Sequence, residues 1–407
     1  MKILVCPAVM EIGGSQSNAV ELARGVADLG HEVVLFGPDG ELLELVRELD
    51  LEYVFAPREC RWPSRRNIAV LNRLVRVRGI DVVHGYEWGP AMDLAYGPHL
   101  RWGTPLVTTV MSMTVPKFLP RHAPLIVGTQ ELLAEHARNS GPVHLMEPPI
   151  DTVRNASSDP GRARARFGFE AHEVVLTVVC RLVTDLQKLE GVLEAMSVVG
   201  ELAGDFPVRL LVVGGGEGLA EVVALATEIN SSRGTDTVVV TGGLLDPRDA
   251  YDAADVVLGM GGSALKGLAF GKALVVQGRD GFWRLMDESS LPTFLFQGWY
   301  GASGGGRADL IAILRPLLVD AKRRARLGAL GRAVVVDRFS IGTASANLIA
   351  IYASAIEDPP SRPDRSRSLA RTSLSFTKSR ISIARQQRIA SASGFAPQSG
   401  RGPGEGS

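Results

Sequence analysis

The chain has 407 residues, 45% hydrophobic and 22% charged, with 44 basic and 44 acidic residues. This length predicts two or three domains with a sizeable core, and the balanced charge excludes a dedicated nucleic-acid binder. Three cysteines (Cys6, Cys60 and Cys180) without a CxxC pair exclude a disulfide scaffold and a cysteine zinc site. They fit a reduced, cytoplasmic setting. No apolar run reaches the ~18 residues of a membrane span. Seven of the basic residues are lysines, which makes each lysine position more noticeable in an arginine-rich chain.

Lys2–Val9 is apolar and reads as a buried first strand rather than a signal peptide, because no small-residue cleavage site follows it. Gly13-Gly14-Ser15 then opens a stretch from Gln16 to Leu29 whose apolar residues keep helical spacing. Glu32–Phe36, Tyr53–Ala56, Asp81–Gly85, Leu106–Val110 and Leu125–Gly128 are the further predicted strands. Helices are predicted between them around Glu41–Leu49, Asn67–Val77 and Glu131–Arg138. Continuous apolar strands separated by helices indicate a parallel sheet covered on both faces, a Rossmann-like unit.

Turn formers dominate Glu147–Asp151 and Asn155–Gly161, which read as a linker. The alternation then restarts, with predicted strands Val174–Val179, Val208–Val213, Val238–Val240, Val256–Leu258 and Ala273–Val276. Predicted helices Gly191–Val199, Leu219–Ile229, Pro247–Ala253 and Ala264–Phe270 lie between them. The expected architecture is therefore α/β, two Rossmann-like domains facing a cleft: residues 1–157, then 158–340. Residues 341–357 form a last helix predicted to pack back toward the first domain. From Asp358 to Ser407 the chain holds nine Lys/Arg against three Asp/Glu and little apolar content. That composition predicts a disordered basic tail, with a peripheral membrane contact as one use for its charge.

Four motifs stand where chemistry is expected in such sheets, beyond the carboxyl ends of strands. Gly13 and Gly14 open the first helix, where free amides favour an anion, although such a turn also serves packing alone. Arg181 and Lys188 stand on the loop after Val174–Val179, two cations able to compensate a leaving diphosphate or to sit solvated. The run Gly214-Gly215-Gly216-Glu217-Gly218 has the wrong spacing for a dinucleotide fingerprint and reads as a tight strand-to-helix turn. Gly261, Gly262, Ser263, Ala264 and Leu265 open a helix whose amides would point at phosphate, with Lys266 one turn in. His84 and Glu87 end a strand in the first domain as candidate sugar or acceptor contacts. No Asp-x-Asp pair or histidine cluster is present to carry a divalent ion, so no metal and no cofactor are expected.

In their order these motifs resemble the GT-B glycosyltransferases, and most of all family 4, the retaining, nucleotide-sugar-dependent group. Gly30-His31-Glu32-Val33 is similar to that family's GHxV, and Tyr251–Asp255 to its short helix into an Ala-Asp-Val strand. Phe339-Ser340 and the helix ending at Tyr352 resemble its C-terminal segment. The resemblance covers about residues 1–357. It implies an enzyme that moves a sugar from a nucleoside diphosphate donor to a small-molecule, lipid or glycan acceptor. Arg181 and Lys188 would be its catalytic groups, neutralising the leaving diphosphate. Gly13, Gly14, Gly215 and Gly261–Leu265, with Lys266, would hold the donor. Two departures are plain. The family's pair of glutamates around this last helix is missing, with Lys266 in the second one's place, and Met111 and Met113 stand where the family often places a histidine. A non-catalytic GT-B module that binds a sugar nucleotide or a partner, and a sugar-nucleotide epimerase, remain the alternatives.

Overall fold

The structure is a computed structural model that describes residues 1–57, 62–137 and 141–392. Cys60, the predicted helix end at Arg138 and the tail beyond residue 392 lie outside the described residues. The chain divides into two units, Met1–Pro149 together with the chain from Ile341 onward, and Ile150–Ser340.

The first unit is a parallel sheet of β1 (Lys2–Cys6), β2 (Glu32–Gly37), β3 (Glu52–Phe55), β4 (Val82–Tyr86), β5 (Leu106–Val110), β6 (Leu125–Val127) and β7 (Val143–Leu145). Its spatial order is β3-β2-β1-β4-β5-β6-β7, so the chain reverses direction of travel between β1 and β4. β1, β4 and β5 are buried along nearly their whole length, as strands covered by helices on both faces must be. The helix Gly14–Asp28 buries Val20, Leu22, Ala23 and Val26 on one side of this sheet. There they meet Leu348, Ile351 and Tyr352 of the helix Ile341–Glu357 in one core. Gly25 allows the close crossing of these two helices, since a Cβ on it would lie 3.3 Å from the Ser345 Cβ.

The second unit contains β8 (Val174–Val179), β9 (Val208–Val213), β10 (Val238–Gly242), β11 (Val256–Gly259), β12 (Ala273–Gln277) and β13 (Trp283–Leu285). Their order is β10-β9-β8-β11-β12-β13, parallel except for the last pair. The reversal here falls between β8 and β11. The two units divide at Pro149/Ile150, earlier than the 157/158 boundary read from the turn formers. Asp252 explains the difference: its carboxylate accepts hydrogen bonds from the Ser157 hydroxyl (2.6 Å) and the Ser158 and Asp159 amides (3.0 and 2.9 Å). Residues 150–159 are thereby tied into the second unit, and Ile150 also pairs with Ser340. β7 and β13 escaped the sequence reading because each is a three-residue run broken by a polar residue, His144 or Arg284, whereas β6 is an unbroken apolar run.

The largest departure is the tail. Residues from 358 were expected to be disordered, but Arg362–Ala392 is a helix, and its first half packs on the first unit. Leu369 and Thr372 are buried. The Tyr96 hydroxyl donates to the Leu369 carbonyl (3.1 Å), and Phe376 packs on Trp88 and Phe118, with ring centres 6.0 and 5.0 Å away. One packing residue per turn is too narrow a seam to raise the average hydropathy of so basic a segment.

Candidate donor and acceptor sites

Each unit places candidate motifs at the point where its strand order reverses, because loops leaving neighbouring strands there diverge to opposite faces and open a crevice. In the second unit these are the loops after β8 and β11, whose strands pair from Val256 with Leu176 to Leu258 with Val178.

The loop after β8 is strapped to the Gly-rich turn after β9. The Cys180 amide donates to the Val213 carbonyl (3.1 Å), Leu182 to Gly215 (2.8 Å), and Gly218 back to Leu182 (3.0 Å). A Cβ at Gly214 would stand 2.0 Å from the Cys180 carbonyl oxygen, and one at Gly216, whose φ is +138°, 2.6 Å from that of Leu182. These two glycines therefore exist for backbone approach between loops. Gly215 would meet only ordinary contacts and is half-buried.

The same loop then turns through Leu186 and Gln187, both non-glycine residues at positive φ (53° and 55°). That conformation is costly and persists only where the surroundings hold it. Here the buried Gln277 side chain donates to the Gln187 and Lys188 carbonyls, both at 3.2 Å. The Gln187 side-chain oxygen accepts from the Asp280 amide at 2.6 Å.

The strained turn delivers Lys188 as the first residue of the helix Lys188–Leu202. A cation at a helix N-terminus is opposed by the macrodipole, so the position favours a nearby anion. Asp185 supplies one, with its carboxylate 3.1 Å from the Lys188 Nζ, whose side chain is 14% exposed. Arg181 is half-buried on the same loop. Both cations act on the Cys180 thiol: burial pushes it up to about 11, and Lys188 and Arg181 pull against that rise.

The loop after β11 stands beside it. The fully buried Tyr251 phenol, raised by burial and further by Cys180, donates to the Ser263 hydroxyl (3.2 Å) at the start of the helix Gly261–Ala269. That helix has no side-chain cap and no acid in its first turn. The Gly261 amide is already bonded to the Trp299 carbonyl (2.7 Å). The amides of Gly262 and Ser263, the next two positions of the turn, have no intrahelical partner. The expectation that Ala264 and Leu265 also offer amides is corrected here. Their side chains are fully buried, the Ala264 amide turns back to Met260 (3.5 Å), and that of Leu265 is within the helical ladder. Gly262 has nothing within 4 Å of where a Cβ would stand, so open space lies over it. Lys266 is half-buried one turn further along.

In the first unit, Gly13 caps the helix Gly14–Asp28 in extended conformation, and Gly14 is exposed with open space where a Cβ would be. Beside this helix start, Glu87 leaves β4 at φ +63° and is 7% exposed. Its Oε1 accepts from the Ser15 hydroxyl (3.1 Å) and the Met111 and Ser112 amides (2.9 and 3.2 Å), and its Oε2 from the Ser112 hydroxyl (2.9 Å). Burial raises its pKa and these four bonds oppose the rise. Glu87 thus joins the first helix, β4 and the loop after β5 at one point. Position 111, read as lacking the family's histidine, serves through its backbone amide. Ser15 and Ser112 were not singled out from sequence, since serines in turns carry no distinctive pattern.

His84 is placed otherwise. It is fully buried, with Nδ1 2.7 Å from the Tyr352 hydroxyl and Nε2 2.7 Å from that of Thr109, and burial lowers its pKa to about 3. Both nitrogens are engaged, so His84 fastens the Ile341–Glu357 helix to the sheet and has none left for a substrate. Among the described residues no three His, Cys, Asp or Glu side chains group as a metal site.

Residues 12–154 match the family described as Glycosyltransferase Family 4. A curated relative, the D-inositol 3-phosphate glycosyltransferase of Rhodococcus erythropolis (strain PR4 / NBRC 100887), is 31% identical over 210 residues, 44% of this chain and 46% of that protein. The chain thus spans less than half the length of the curated relatives it matches. Among solved structures, a glycosyltransferase from Rickettsia africae ESF-5 has a TM-score of 0.69 at 13% identity, covering 88% of this chain and 99% of that one. Anabaena Alr3699/HepE, in complex with UDP and glucose, has a TM-score of 0.67 at 15% identity, covering 87% and 100%. The chain therefore shares the GT-B fold of these solved glycosyltransferases, and its residues 12–154 are similar to Glycosyltransferase Family 4.

Proposed function

We propose that the protein is a cytoplasmic glycosyltransferase that moves a sugar from a nucleoside diphosphate sugar to an acceptor hydroxyl, with retention and without a divalent ion or cofactor. The observation that carries this reading is that Arg181 and Lys188 stand on the loop after β8, the strand paired with β11, which leads into the uncapped helix start at Gly262-Ser263. Cations and free amides at one sheet reversal suit a diphosphate better than any neutral ligand. The UDP and UDP-glucose bound in Anabaena Alr3699/HepE support uridine as the first nucleotide to try.

In the proposed reaction the bond from the sugar's anomeric carbon to the donor phosphate oxygen breaks. The acceptor oxygen bonds to that carbon on the same face, and its proton passes to the departing phosphate oxygen. The chain contributes positioning and charge compensation rather than a strong base. Arg181 and Lys188 offset the charge that grows on the diphosphate, and the Gly262 and Ser263 amides, with Gly215, hold it in place. Glu87 Oε2, which accepts one internal bond, keeps capacity for a sugar or acceptor hydroxyl.

The missing glutamate pair favours a second reading, a module that binds a sugar nucleotide without turning it over. Calorimetric binding and turnover over a panel of UDP-, GDP- and dTDP-sugars, with and without EDTA, decides between them. Binding with sugar release or transfer supports the enzyme. Binding alone supports the module, and no nucleotide binding at all overturns the enzyme and leaves a module that binds a partner.

A further inference from the structure

The outer face of the first unit carries charge that neither site uses. Between Arg362 and Ala392 the sequence holds eight Lys/Arg and one acid, Asp364. Within that helix Arg367, Arg371, Leu374, Lys378 and Ile381 recur at intervals of four and three residues and share one face. All five are exposed, Leu374 by 66% and Ile381 by 51%. The opposite face, through Leu369, Thr372 and Phe376, is the one packed on the unit, so the helix is held with its cationic and aliphatic stripe outward.

The adjoining surface continues the pattern. The Arg365 guanidinium lies 3.1 Å from where a Gly103 Cβ would be, which sets this helix beside the segment Leu100–Trp102. Trp102 is 46% exposed, and its ring stands under two guanidinium groups, those of Arg101 (4.8 Å) and Arg76 (5.7 Å). Arg76 belongs to the helix Arg65–Arg78, which has five arginines and no acid and exposes Val77 by 72%. Among the described residues Arg73, Arg76, Arg101, Arg371 and Lys378 form no ion pair.

A surface built only for phosphates needs cations and, for single strands, stacking rings. Aliphatic side chains standing between the cations gain nothing there. They gain by entering the boundary between lipid headgroups and acyl chains, while arginine and lysine meet anionic headgroups and a tryptophan sits at that depth. We infer that this face docks the protein on an anionic lipid bilayer, as an attachment that lies in the interface. No helix among the described residues is long and apolar enough to cross a membrane. The inference is independent of the reaction proposed above.

Vesicle flotation of the full chain tests it, with phosphatidylcholine alone and with about one third phosphatidylglycerol added. The expected result is flotation with the anionic vesicles only, weakened by salt. The Arg371→Glu/Lys378→Glu pair should weaken it by at least about tenfold. Leu374→Ser/Ile381→Ser should weaken it at unchanged charge, which distinguishes interfacial insertion from plain attraction. All four positions are exposed, so both variants should melt with the parent. Equal binding to neutral vesicles, variants that float like the parent, or tighter binding to a DNA duplex in the same buffer would each overturn the docking surface.

Discussion

Gly191 lies against Gln277 so closely that a Cβ on it would stand 1.8 Å from the Gln277 amide nitrogen. That amide is the clamp on the Gln187 and Lys188 carbonyls, and hence on the left-handed turn that aims Lys188. A methyl group at 191 must displace the clamp. Gly191→Ala should therefore weaken nucleotide binding by roughly tenfold, about 1.4 kcal/mol. Calorimetry alongside a thermal melt checks it, and an unchanged Kd would separate the turn from donor binding.

Lys188 itself is expected to contribute more. Lys188→Ala removes a poorly exposed cation facing the proposed diphosphate and leaves Asp185 as a repelling neighbour. Nucleotide affinity should fall by ~2–4 kcal/mol. Nucleotide binding to the parent should persist in EDTA. Loss of that binding on chelation would place a metal where cations are proposed.

Glu87 offers a separable test of the other unit. Glu87→Gln keeps the shape but removes the charge that the Met111 and Ser112 amides and the Ser15 hydroxyl meet, and its amide donor obliges the Ser112 hydroxyl to accept and to turn its proton to the Thr114 carbonyl. A stability cost of about 1–3 kcal/mol is expected. Transfer should fall with little change in nucleotide binding. Parallel loss of both would move Glu87 from the acceptor to the donor.

The histidine pair and His84 set an acid limit on stability. Burial lowers His84 to about 3 in the folded chain, and the buried His99 and half-buried His122, 2.7 Å apart, are each lowered to about 4. Each folded-state value lies below its unfolded value. Between them and about pH 6.5 the unfolded chain therefore binds more protons, and stability rises with pH. His84 alone should remove about 1.4 kcal/mol per pH unit as pH falls below 6.5. Melting temperatures from pH 7 to pH 5 check the slope, which should be shallower in His84→Gln.

The C-terminal helix makes a prediction opposite to the one its composition suggests. Amides around Leu369–Phe376 should be protected from exchange to a degree that an unstructured tail never reaches. Removal of the chain from residue 359 onward should lower the melting temperature by uncovering Trp88 and Phe118. Rapid exchange throughout 362–392 would contradict the packing.

The chain's order of strands and helices was legible in its residues, because short, valine-rich runs such as VVLTVV and VRLLVV fit strands buried on both faces. The Gly-rich turns and the Arg181…Lys188 loop were legible for the same local reason, and so was the resemblance they carry. What each glycine is for was not. Gly214 and Gly216 answer to carbonyls that come from another strand's loop, while Gly262 faces open space, and nothing in their spacing tells these apart. Tertiary structure alone decided that His84 is a fastener, that Glu87 gathers Ser15 and Ser112, and that a basic tail folds along Tyr96 and Trp88. Those outcomes depend on partners up to 277 residues away in sequence, brought together by burial and hydrogen-bond satisfaction that no local pattern encodes.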